Sequence, residues 1–212
     1  MLLAYTPPMS PYLDILYQDD ALVVFNKPSG LLTVPGKALE HKDSLEYRAR
    51  LVWPGIRIVH RLDMATSGIV VMALTAHSQR ELNRQFQHRE TEKHYIACVT
   101  GHVEADSGSI NLPLICDWPN RPKQKVCFEY GKPSLTHYQV LQRSAHSSRL
   151  KLTPITGRSH QLRVHMQWLQ HPILGDKFYG NAQGRLQLHA EKLVLTHPES
   201  GERLHFLTES PF

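Results

Sequence analysis

The sequence predicts an α+β domain on a largely antiparallel sheet. Many short apolar runs are bounded by turn residues, only two segments show clear helical periodicity, and strands do not alternate strictly with helices. The predicted strands, in chain order, are Ala21–Phe25, Ile56–Val59, Ile69–Leu74, Tyr95–Thr100, Lys125–Tyr130, Thr136–Leu141, Arg149–Thr153, Leu186–Leu195 and Arg203–Leu207.

Turn residues and side-chain alternation support these strands. Ala21–Phe25 is an apolar run that follows two aspartates and precedes the turn-prone segment Asn26–Gly30, which predicts a buried strand. Arg149–Thr153 alternates polar and apolar residues, which is typical of a half-buried strand. Gly131–Pro133 and Pro198–Gly201 predict turns between neighbouring strands.

Two segments, Thr75–Gln87 and Ser159–Gln170, predict helices. Thr75 is a suitable N-cap for the first, and Leu82 and Phe86 are four residues apart, so they share one helix face. The second helix has a similar apolar face and ends before a His-Pro pair. Its apolar face consists of Leu162, Met166 and Leu169.

Composition sets broad limits on function. The chain has 212 residues, 41% hydrophobic and 20% charged, which favours a folded globular protein over a disordered one. A net charge of +5 is compatible with RNA, DNA or an anionic membrane surface and does not choose among them. No apolar run approaches the roughly 20 residues that span a bilayer, so we expect no membrane segment.

The chain organisation is expected to be simple. Residues 1–13 contain several prolines and no basic signal-peptide region, which predicts a loose leader before a single domain at residues 14–212. The three cysteines form no C-x-x-C pair, so neither a disulfide framework nor a zinc site is expected, and the cytoplasm is the natural compartment. His160 and His165 are five residues apart, on different faces of a helix, so no metal site is expected there.

The segment His60–Asp63 carries the clearest functional signal. It lies between two predicted strands, and Met64–Gly68 makes the return between them, so Asp63 is presented on a loop. Arg61 and Leu62 place a cation and an apolar wedge beside the carboxylate, which suits a polyanionic ligand. The alternative is that Asp63 only caps a turn and Arg61 only contacts solvent, since short motifs often match by chance.

The surrounding residues give this segment a context. Arg61-Leu62-Asp63-x-x-Thr66-Ser67-Gly68 followed by a hydrophobic strand resembles the catalytic motif of the RluA family of RNA pseudouridine synthases. Other segments agree in order and approximate spacing, and the resemblance runs from about Leu16 to near the C-terminus. These segments are Asn26–Gly30, Lys93–Tyr95, Thr156–His165 and His171–Asp176.

The resemblance implies a fold and a chemistry. The fold is a long mixed, mostly antiparallel sheet with flanking helices and a central active-site cleft. Many relatives carry an N-terminal S4 RNA-binding domain, but here the first family motif begins near residue 17, so no S4 domain is expected. Pseudouridine formation is an isomerisation and needs no cofactor, consistent with a sequence that lacks phosphate-binding or dinucleotide-binding motifs.

By resemblance, Asp63, Tyr95 and Arg163 are the catalytic residues. Asp63 is the carboxylate that acts on the nucleoside, Arg163 pairs with it, and Tyr95 packs on the uracil and can take the C5 proton. The alternatives are an exposed helix arginine at Arg163 and a core tyrosine at Tyr95. A glycosidase usually needs two carboxylates across the bond, and only one is found in the motifs.

Other residues are expected to bind the RNA substrate. Arg61 is placed to enter the RNA when the uridine leaves the stack, and otherwise contacts a phosphate. The same motifs place His60, Leu62 and Leu162 beside the substrate. A basic, proline-containing loop over residues 117–125 is expected to follow the RNA backbone and stack a base, unless it is a solvated loop with its tryptophan in the core. Its candidate contacts are Trp118, Arg121, Lys123 and Lys125.

The expected substrates are stem-loops. Leu112–Cys127 is similar to family members associated with both 23S rRNA and the anticodon arm of tRNA. One alternative is a synthase that acts only on large-subunit rRNA. Two others are a catalytically inactive RNA-binding relative and a base-removing glycosidase. No membrane and no obligate protein partner are implied.

Overall fold

Twelve strands, three α-helices and two single-turn 3₁₀ helices make up the regular structure of residues 5–212, the part of the chain that the computed structural model describes. The helices are α1 (Leu45–Arg50), α2 (Ala76–His88) and α3 (Gln161–Trp168). The strands are β1 (Ile15–Gln18), β2 (Leu22–Lys27), β3 (Arg57–Ile58), β4 (Ser67–Ala73), β5 (Glu92–Thr100), β6 (Ser107–Asn111), β7 (Leu114–Cys116), β8 (Gln124–Val126), β9 (Leu135–Arg143), β10 (Ser147–Pro154), β11 (Leu188–Thr196) and β12 (Arg203–Leu207).

The described chain divides into two compact units. The first unit comprises residues 5–92 and 190–210, and the second comprises residues 93–189 and 211–212. Within residues 5–212, no helix combines the length and the apolar character that crossing a membrane requires.

The first unit is built around β2 and β4. β2 is antiparallel to both β1 and β4, β3 is antiparallel to β4, and β12 is antiparallel to β11. Every residue of β4 is buried, so the strand is covered on both faces. Leu82 of α2 is fully buried in the same cluster as Val24 and Val71, with Phe86 packed against it. The predicted apolar face of this helix therefore joins the core.

The second unit has an antiparallel sheet and a small hairpin. The strand order is β5-β10-β9-β6, and β7 pairs with β8 in a separate two-stranded sheet. β10 alternates partly exposed and buried residues along its whole length, as the polar–apolar alternation predicts. Leu114 of β7, Val164 of α3 and Tyr179 form a buried cluster, with Val126 of β8 packed against it. This cluster joins the hairpin to α3.

The predicted α+β class with mostly antiparallel strands is confirmed. Thr75 caps α2 as predicted, since its hydroxyl accepts a hydrogen bond from the Ser78 amide. α3 is shorter than predicted because His160 adopts a left-handed conformation, with a φ of 52°, and the helix begins after it. The prediction of a strand over Lys125–Tyr130 is wrong beyond Val126, where the chain enters a turn.

Part of the predicted leader makes specific contacts with the first unit. The Tyr5 hydroxyl donates a hydrogen bond to the Asp43 carbonyl at 2.9 Å and accepts one from the Leu32 amide at 3.0 Å. Arg48 is fully buried, pairs with the Asp43 carboxylate at 2.6 Å and lies 4.6 Å from the centroid of the Tyr12 ring. These contacts hold Tyr5 and Tyr12, both in the segment predicted to be loose; residues 1–4 lie outside the described chain.

Candidate active site

Asp63 lies on the loop that connects β3 to β4. The Thr66 amide donates a hydrogen bond to the Asp63 carbonyl at 3.1 Å, which closes a tight turn immediately after the carboxylate. Asp63 is partly exposed and Arg61 is exposed, whereas Leu62 is only 5% exposed. The backbone therefore anchors the loop through Leu62 and presents the two charged side chains on either side of it.

A buried ammonium group holds the chain that follows Asp63. Lys27, at the end of β2, is completely buried. Its Nζ donates to the carbonyl oxygens of Pro28 at 2.9 Å, Leu31 at 2.7 Å and Met64 at 3.2 Å. A buried charge is tolerated only when it is well hydrogen-bonded, and three carbonyl dipoles serve that need. Lys27 thus joins the turn after β2 to the turn after Asp63.

The rest of the Asn26–Gly30 segment strengthens the same connection. The Ser29 hydroxyl donates to the Ala65 carbonyl at 2.7 Å, and the Gly30 amide donates to the Met64 carbonyl at 2.9 Å. These contacts give the segment a structural reason to accompany the Asp63 motif. The family resemblance included the segment but assigned it no role.

The chain that precedes Asp63 is held by Thr33 and His60. The Thr33 hydroxyl donates to the Leu62 carbonyl at 2.7 Å and accepts from the Leu62 amide at 3.2 Å. His60 Nε2 accepts a hydrogen bond from the Val71 amide at 3.1 Å, and the His60 ring stacks on Phe86 with centroids 4.7 Å apart. His60 therefore ties the loop to β4 and α2, a role that the motif did not indicate.

Gly68 allows β4 to start directly after the loop. Its φ is +113°, and a Cβ atom at this position would lie 2.3 Å from the Ala190 carbonyl oxygen. A side chain would therefore collide with the backbone of β11. The glycine of the Thr66-Ser67-Gly68 sequence is required for this close approach.

Tyr95 lies on β5 in the second unit. It is opposite Leu152 of β10 and is partly buried, whereas the next two residues, Ile96 and Ala97, are in the core. Tyr95 thus lies at the margin of the buried part of the strand.

Arg163 of α3 is buried and tightly paired. Its exposure is 4%, so the alternative of an exposed helix arginine is wrong. Nε and one terminal nitrogen donate to the two carboxylate oxygens of Asp176, each at 2.7 Å. The guanidinium carbon also lies 5.2 Å from the ring centroids of both Phe178 and Tyr179. This two-point pairing with a fixed carboxylate restricts the orientation of the guanidinium.

Asp176 is itself held in place. It is 1% exposed, and its Oδ1 also accepts hydrogen bonds from the amides of Phe178 at 2.9 Å and Tyr179 at 3.2 Å. Asp176 belongs to the His171–Asp176 segment of the resemblance, but the sequence did not identify it as a partner of Arg163. The thirteen-residue separation gives no periodic signal for such a pair.

The hairpin loop between β7 and β8 presents its aromatic residue to solvent. Trp118 is 64% exposed, so the alternative of a core tryptophan is wrong. The Arg121 guanidinium lies 4.5 Å from the centroid of the Trp118 ring, a cation–π contact. Lys125 is exposed and lies 3.6 Å from a carboxylate oxygen of Asp117, while Lys123 is partly buried.

Tyr179 connects this hairpin to the start of α3. Its hydroxyl accepts a hydrogen bond from the Gln124 amide and lies within 2.7 Å of His160 Nδ1. Leu162, in the first turn of α3, is 6% exposed. The base of the hairpin is therefore fixed even though its loop is exposed.

The predicted site residues are divided between the two units. His60, Arg61, Leu62 and Asp63 share one loop of the first unit, while Tyr95, Leu162, Arg163 and the hairpin residues lie in the second. His165 is buried between the hydroxyls of Ser134 and Thr136, and burial lowers its pKa to about 4. Within residues 5–212, no group of three or more His, Cys, Asp or Glu side chains is arranged to hold a metal ion.

Comparison with known proteins places these features in a family. Residues 21–168 match the model of the RNA pseudouridylate synthase family. The chain is 56% identical to the dual-specificity RNA pseudouridine synthase RluA of Escherichia coli (strain K12), with 98% of each chain covered. It is 58% identical to the protein of that name from Yersinia pestis, covering 93% of this chain and 99% of the relative.

A solved structure shows the same fold. Human RNA pseudouridylate synthase domain containing 1 is 30% identical and superposes with a TM-score of 0.79, covering 98% of this chain and 87% of that one. Because the family model covers well over half of the chain and the relatives match it almost end to end, the chain belongs to the RluA family of RNA pseudouridine synthases.

Proposed function

We propose that this enzyme converts uridines to pseudouridine in stem-loops of both 23S rRNA and the anticodon arm of tRNA. The main support is the identity of 55–58% over nearly the whole chain to relatives named as dual-specificity RNA pseudouridine synthases. A second support is that hydrogen bonds within each unit hold the chain next to Asp63 and the side chain of Arg163 in position.

The reaction is an isomerisation of the bound nucleoside. The bond between uracil N1 and ribose C1′ breaks, the base turns while it remains bound, and C5 is joined to C1′. The C5 proton is lost and N1 gains a proton, so no atom is added and no electron is transferred. Asp63 is the carboxylate that acts on the nucleoside, and Tyr95 packs on the uracil and takes the C5 proton.

Arg163 supports Asp63 through its charge. A nearby cation favours the ionised form of a carboxylate in a site closed to water. Asp176 neutralises part of this cation but fixes its direction, because the two donors that it engages are on one edge of the guanidinium. In this proposal Arg163 offers its remaining donors to the reacting site from a constant position.

RNA enters the site with the target base out of the stack. A base inside a helix cannot be reached, so extrusion is needed and costs a few kcal/mol. Arg61 is exposed next to Asp63 and fills the space left by the base. Three further side chains of the family motifs contact the substrate: His60, Leu62 and Leu162. The RNA backbone and one base of the RNA loop are contacted by the hairpin residues Trp118, Arg121, Lys123 and Lys125.

Pseudouridine mapping tests this function. Total RNA from cells with and without the protein is mapped, and the purified enzyme is then incubated with isolated tRNA and 23S rRNA stem-loops. We expect pseudouridine in both hairpins and loss of the same sites in cells. Reaction with only the rRNA hairpin would contradict dual specificity. Unchanged uridine would favour an inactive RNA-binding relative, and abasic sites would favour a glycosidase.

A further inference from the structure

Three exposed aromatic side chains are found on the turn after β8 and at the end of α3. Phe128 is 73% exposed, Tyr130 71% and Trp168 51%. With Trp118, these are the four most exposed aromatic side chains of residues 5–212. We call Phe128, Tyr130 and Trp168 the aromatic patch. Exposed clusters of this kind usually mark a binding surface.

Backbone hydrogen bonds fix the turn that carries Phe128 and Tyr130. The Gly131 amide donates to the Cys127 carbonyl at 2.9 Å, and Lys132 and Leu114 exchange two backbone hydrogen bonds at 2.8 and 3.0 Å. A Cβ atom at Gly131 would lie 2.2 Å from the Cys127 carbonyl oxygen, so the backbone here is tightly packed. The rings of Phe128 and Trp168 meet edge to face, with centroids 6.3 Å apart. The aromatic surfaces are therefore ordered before any ligand arrives.

Two residues of the patch follow a basic segment of the chain, the hairpin loop and β8. Residues 117–132 contain four cationic side chains, Arg121, Lys123, Lys125 and Lys132, and two acidic ones, Asp117 and Glu129. Asp117 pairs with Lys125, and the neighbouring Glu129 carboxylate raises the pKa of Tyr130. Seven residues separate Arg121 from Phe128, a reach of at most about 25 Å. In the sequence, the cationic residues Arg121, Lys123 and Lys125 thus lie between the exposed aromatic residues Trp118 and Phe128.

This combination favours RNA over a protein partner. Aromatic rings that alternate with cations are the usual means of binding unpaired nucleotides, since bases stack on the rings and phosphates pair with the cations. The core of a protein–protein interface is instead depleted in lysine. The loop of a stem-loop supplies both unpaired bases and a dense line of phosphates.

We propose that the aromatic patch is a second RNA-contacting surface, which stacks unpaired bases of the substrate stem-loop that are not modified. This inference rests on the proposed function, because it specifies how the same enzyme holds its RNA. It adds Phe128, Tyr130 and Trp168 to the residues that select the substrate. None of the three is part of the catalytic machinery.

Binding measurements test the patch directly. Phe128→Ala and Trp168→Ala are compared with Tyr47→Ala, a control on α1 in the first unit whose side chain is 46% exposed. Affinity for a fluorescent tRNA stem-loop is measured by anisotropy in an Asp63→Asn background, so turnover is not needed. We expect each patch variant to weaken binding about 5- to 150-fold, the range for removal of one stacking interaction, and the control to bind as before.

Conservative variants separate stacking from simple apolar burial. Phe128→Tyr should retain the affinity, and Phe128→Leu should lose it, because leucine has no aromatic face. Because Phe128 is largely exposed, the melting temperature should not change, which confirms that the variant is folded.

A fluorescence readout follows the patch itself. The chain has three tryptophans, so Trp53→Phe with Trp118→Phe leaves Trp168 as the sole reporter. We expect the stem-loop to quench its emission, and Phe128→Ala to reduce that quenching.

Affinity in Phe128→Ala and Trp168→Ala equal to that of Tyr47→Ala would overturn the proposal. Self-association that is abolished by the same variants, with RNA affinity unchanged, would also overturn it and assign the patch to a second copy of the chain. If the wild type forms no pseudouridine but the patch variants still bind RNA more weakly, the proposed function is wrong and the assignment of the patch as an RNA-contacting surface is retained.

Discussion

The two units hold their predicted catalytic residues by different means. In the first unit, Asp63 lies on an irregular loop that is fixed by Lys27, Ser29 and Thr33, whose side chains contact the carbonyl oxygens of Leu62, Met64 and Ala65. In the second unit, Arg163 lies on a helix, and its guanidinium is paired with the Asp176 carboxylate and lies against the rings of Phe178 and Tyr179. A loop has no internal ladder of hydrogen bonds, so its position depends on contacts with other parts of the chain, whereas the helix already fixes the backbone of Arg163.

Removal of the Asp176 carboxylate in the second unit should have the largest effect on stability. Asp176→Asn takes away the charge that is paired with the buried Arg163 guanidinium, which should cost about 3–5 kcal/mol of unfolding free energy. Urea denaturation measures this decrease. Turnover should fall far more than RNA affinity, because the reacting geometry is damaged and the docking surface is not.

A double variant separates stability from catalysis at this pair. Arg163→Met with Asp176→Leu removes both charges, so most of the unfolding free energy should return. Pseudouridine formation should remain absent. Recovery of turnover in the double variant would show that Arg163 acts only as a structural residue.

Removal of one side chain that holds the loop in the first unit should cost less stability but still lower the rate. Lys27→Met nearly keeps the length of the side chain and removes the donor shared by the carbonyl oxygens of Pro28, Leu31 and Met64, a cost of roughly 1–3 kcal/mol. We expect at least a tenfold lower single-turnover rate with RNA affinity within about twofold. Lys37→Met, at an exposed position of the same unit, serves as the matched control. An unchanged rate in the folded Lys27→Met variant would contradict the role of Lys27 in holding the loop.

The buried histidine of α3, in the second unit, should make the unfolding free energy depend on pH. His165 has a pKa of about 4 because of burial, below its ordinary value of 6.5, so the unfolded chain binds the proton more readily. Its contribution to stability is therefore complete above about pH 6.5 and is lost as the pH falls toward 4. Unfolding free energy measured across that window should decrease with falling pH, and His165→Gln should flatten the decrease. His102→Gln, at an exposed position, should leave it unchanged.

We expect the smallest effect in the exposed hairpin, because its side chains can contact phosphates without being held in one position. Neutralising Arg121, Lys123 and Lys125 to Gln should reduce the slope of log affinity against log salt by about 0.7 for each phosphate that these side chains neutralise in the wild type. Both stem-loops should weaken together, since phosphates carry no sequence information. Equal salt slopes in the triple variant and the wild type would show that these side chains do not bind phosphate.

Local patterns predicted the elements that local interactions specify. Thr75 and the spacing of Leu82 and Phe86 were sufficient for α2, because capping and face periodicity lie within one helix. β6 was missed because Ser107–Asn111 is mostly polar and is a strand only through its pairing with β9. Phe128 and Tyr130 were included in the predicted strand Lys125–Tyr130, yet here they are exposed on a turn.

The motifs predicted where the site residues lie but not how they are held. Lys27 and Met64 are 37 residues apart, and Thr33 and Leu62 are 29 apart, so no periodicity connects them. The pairing of Arg163 with Asp176 likewise depends on how the chain returns after α3. The catalytic assignments of Asp63, Tyr95 and Arg163 stay predictions until variants are measured.

Pseudouridine formation by Asp63→Asn is the most direct test of the central claim that this loop-borne carboxylate performs the chemistry. The variant, the wild type and an Asp20→Asn control, which alters an exposed carboxylate of the same unit, are compared on one stem-loop under single-turnover conditions. We predict no detectable pseudouridine with Asp63→Asn, RNA affinity within about twofold of the wild type, and full activity for the control. Turnover by folded Asp63→Asn at a substantial fraction of the wild-type rate would contradict the assignment.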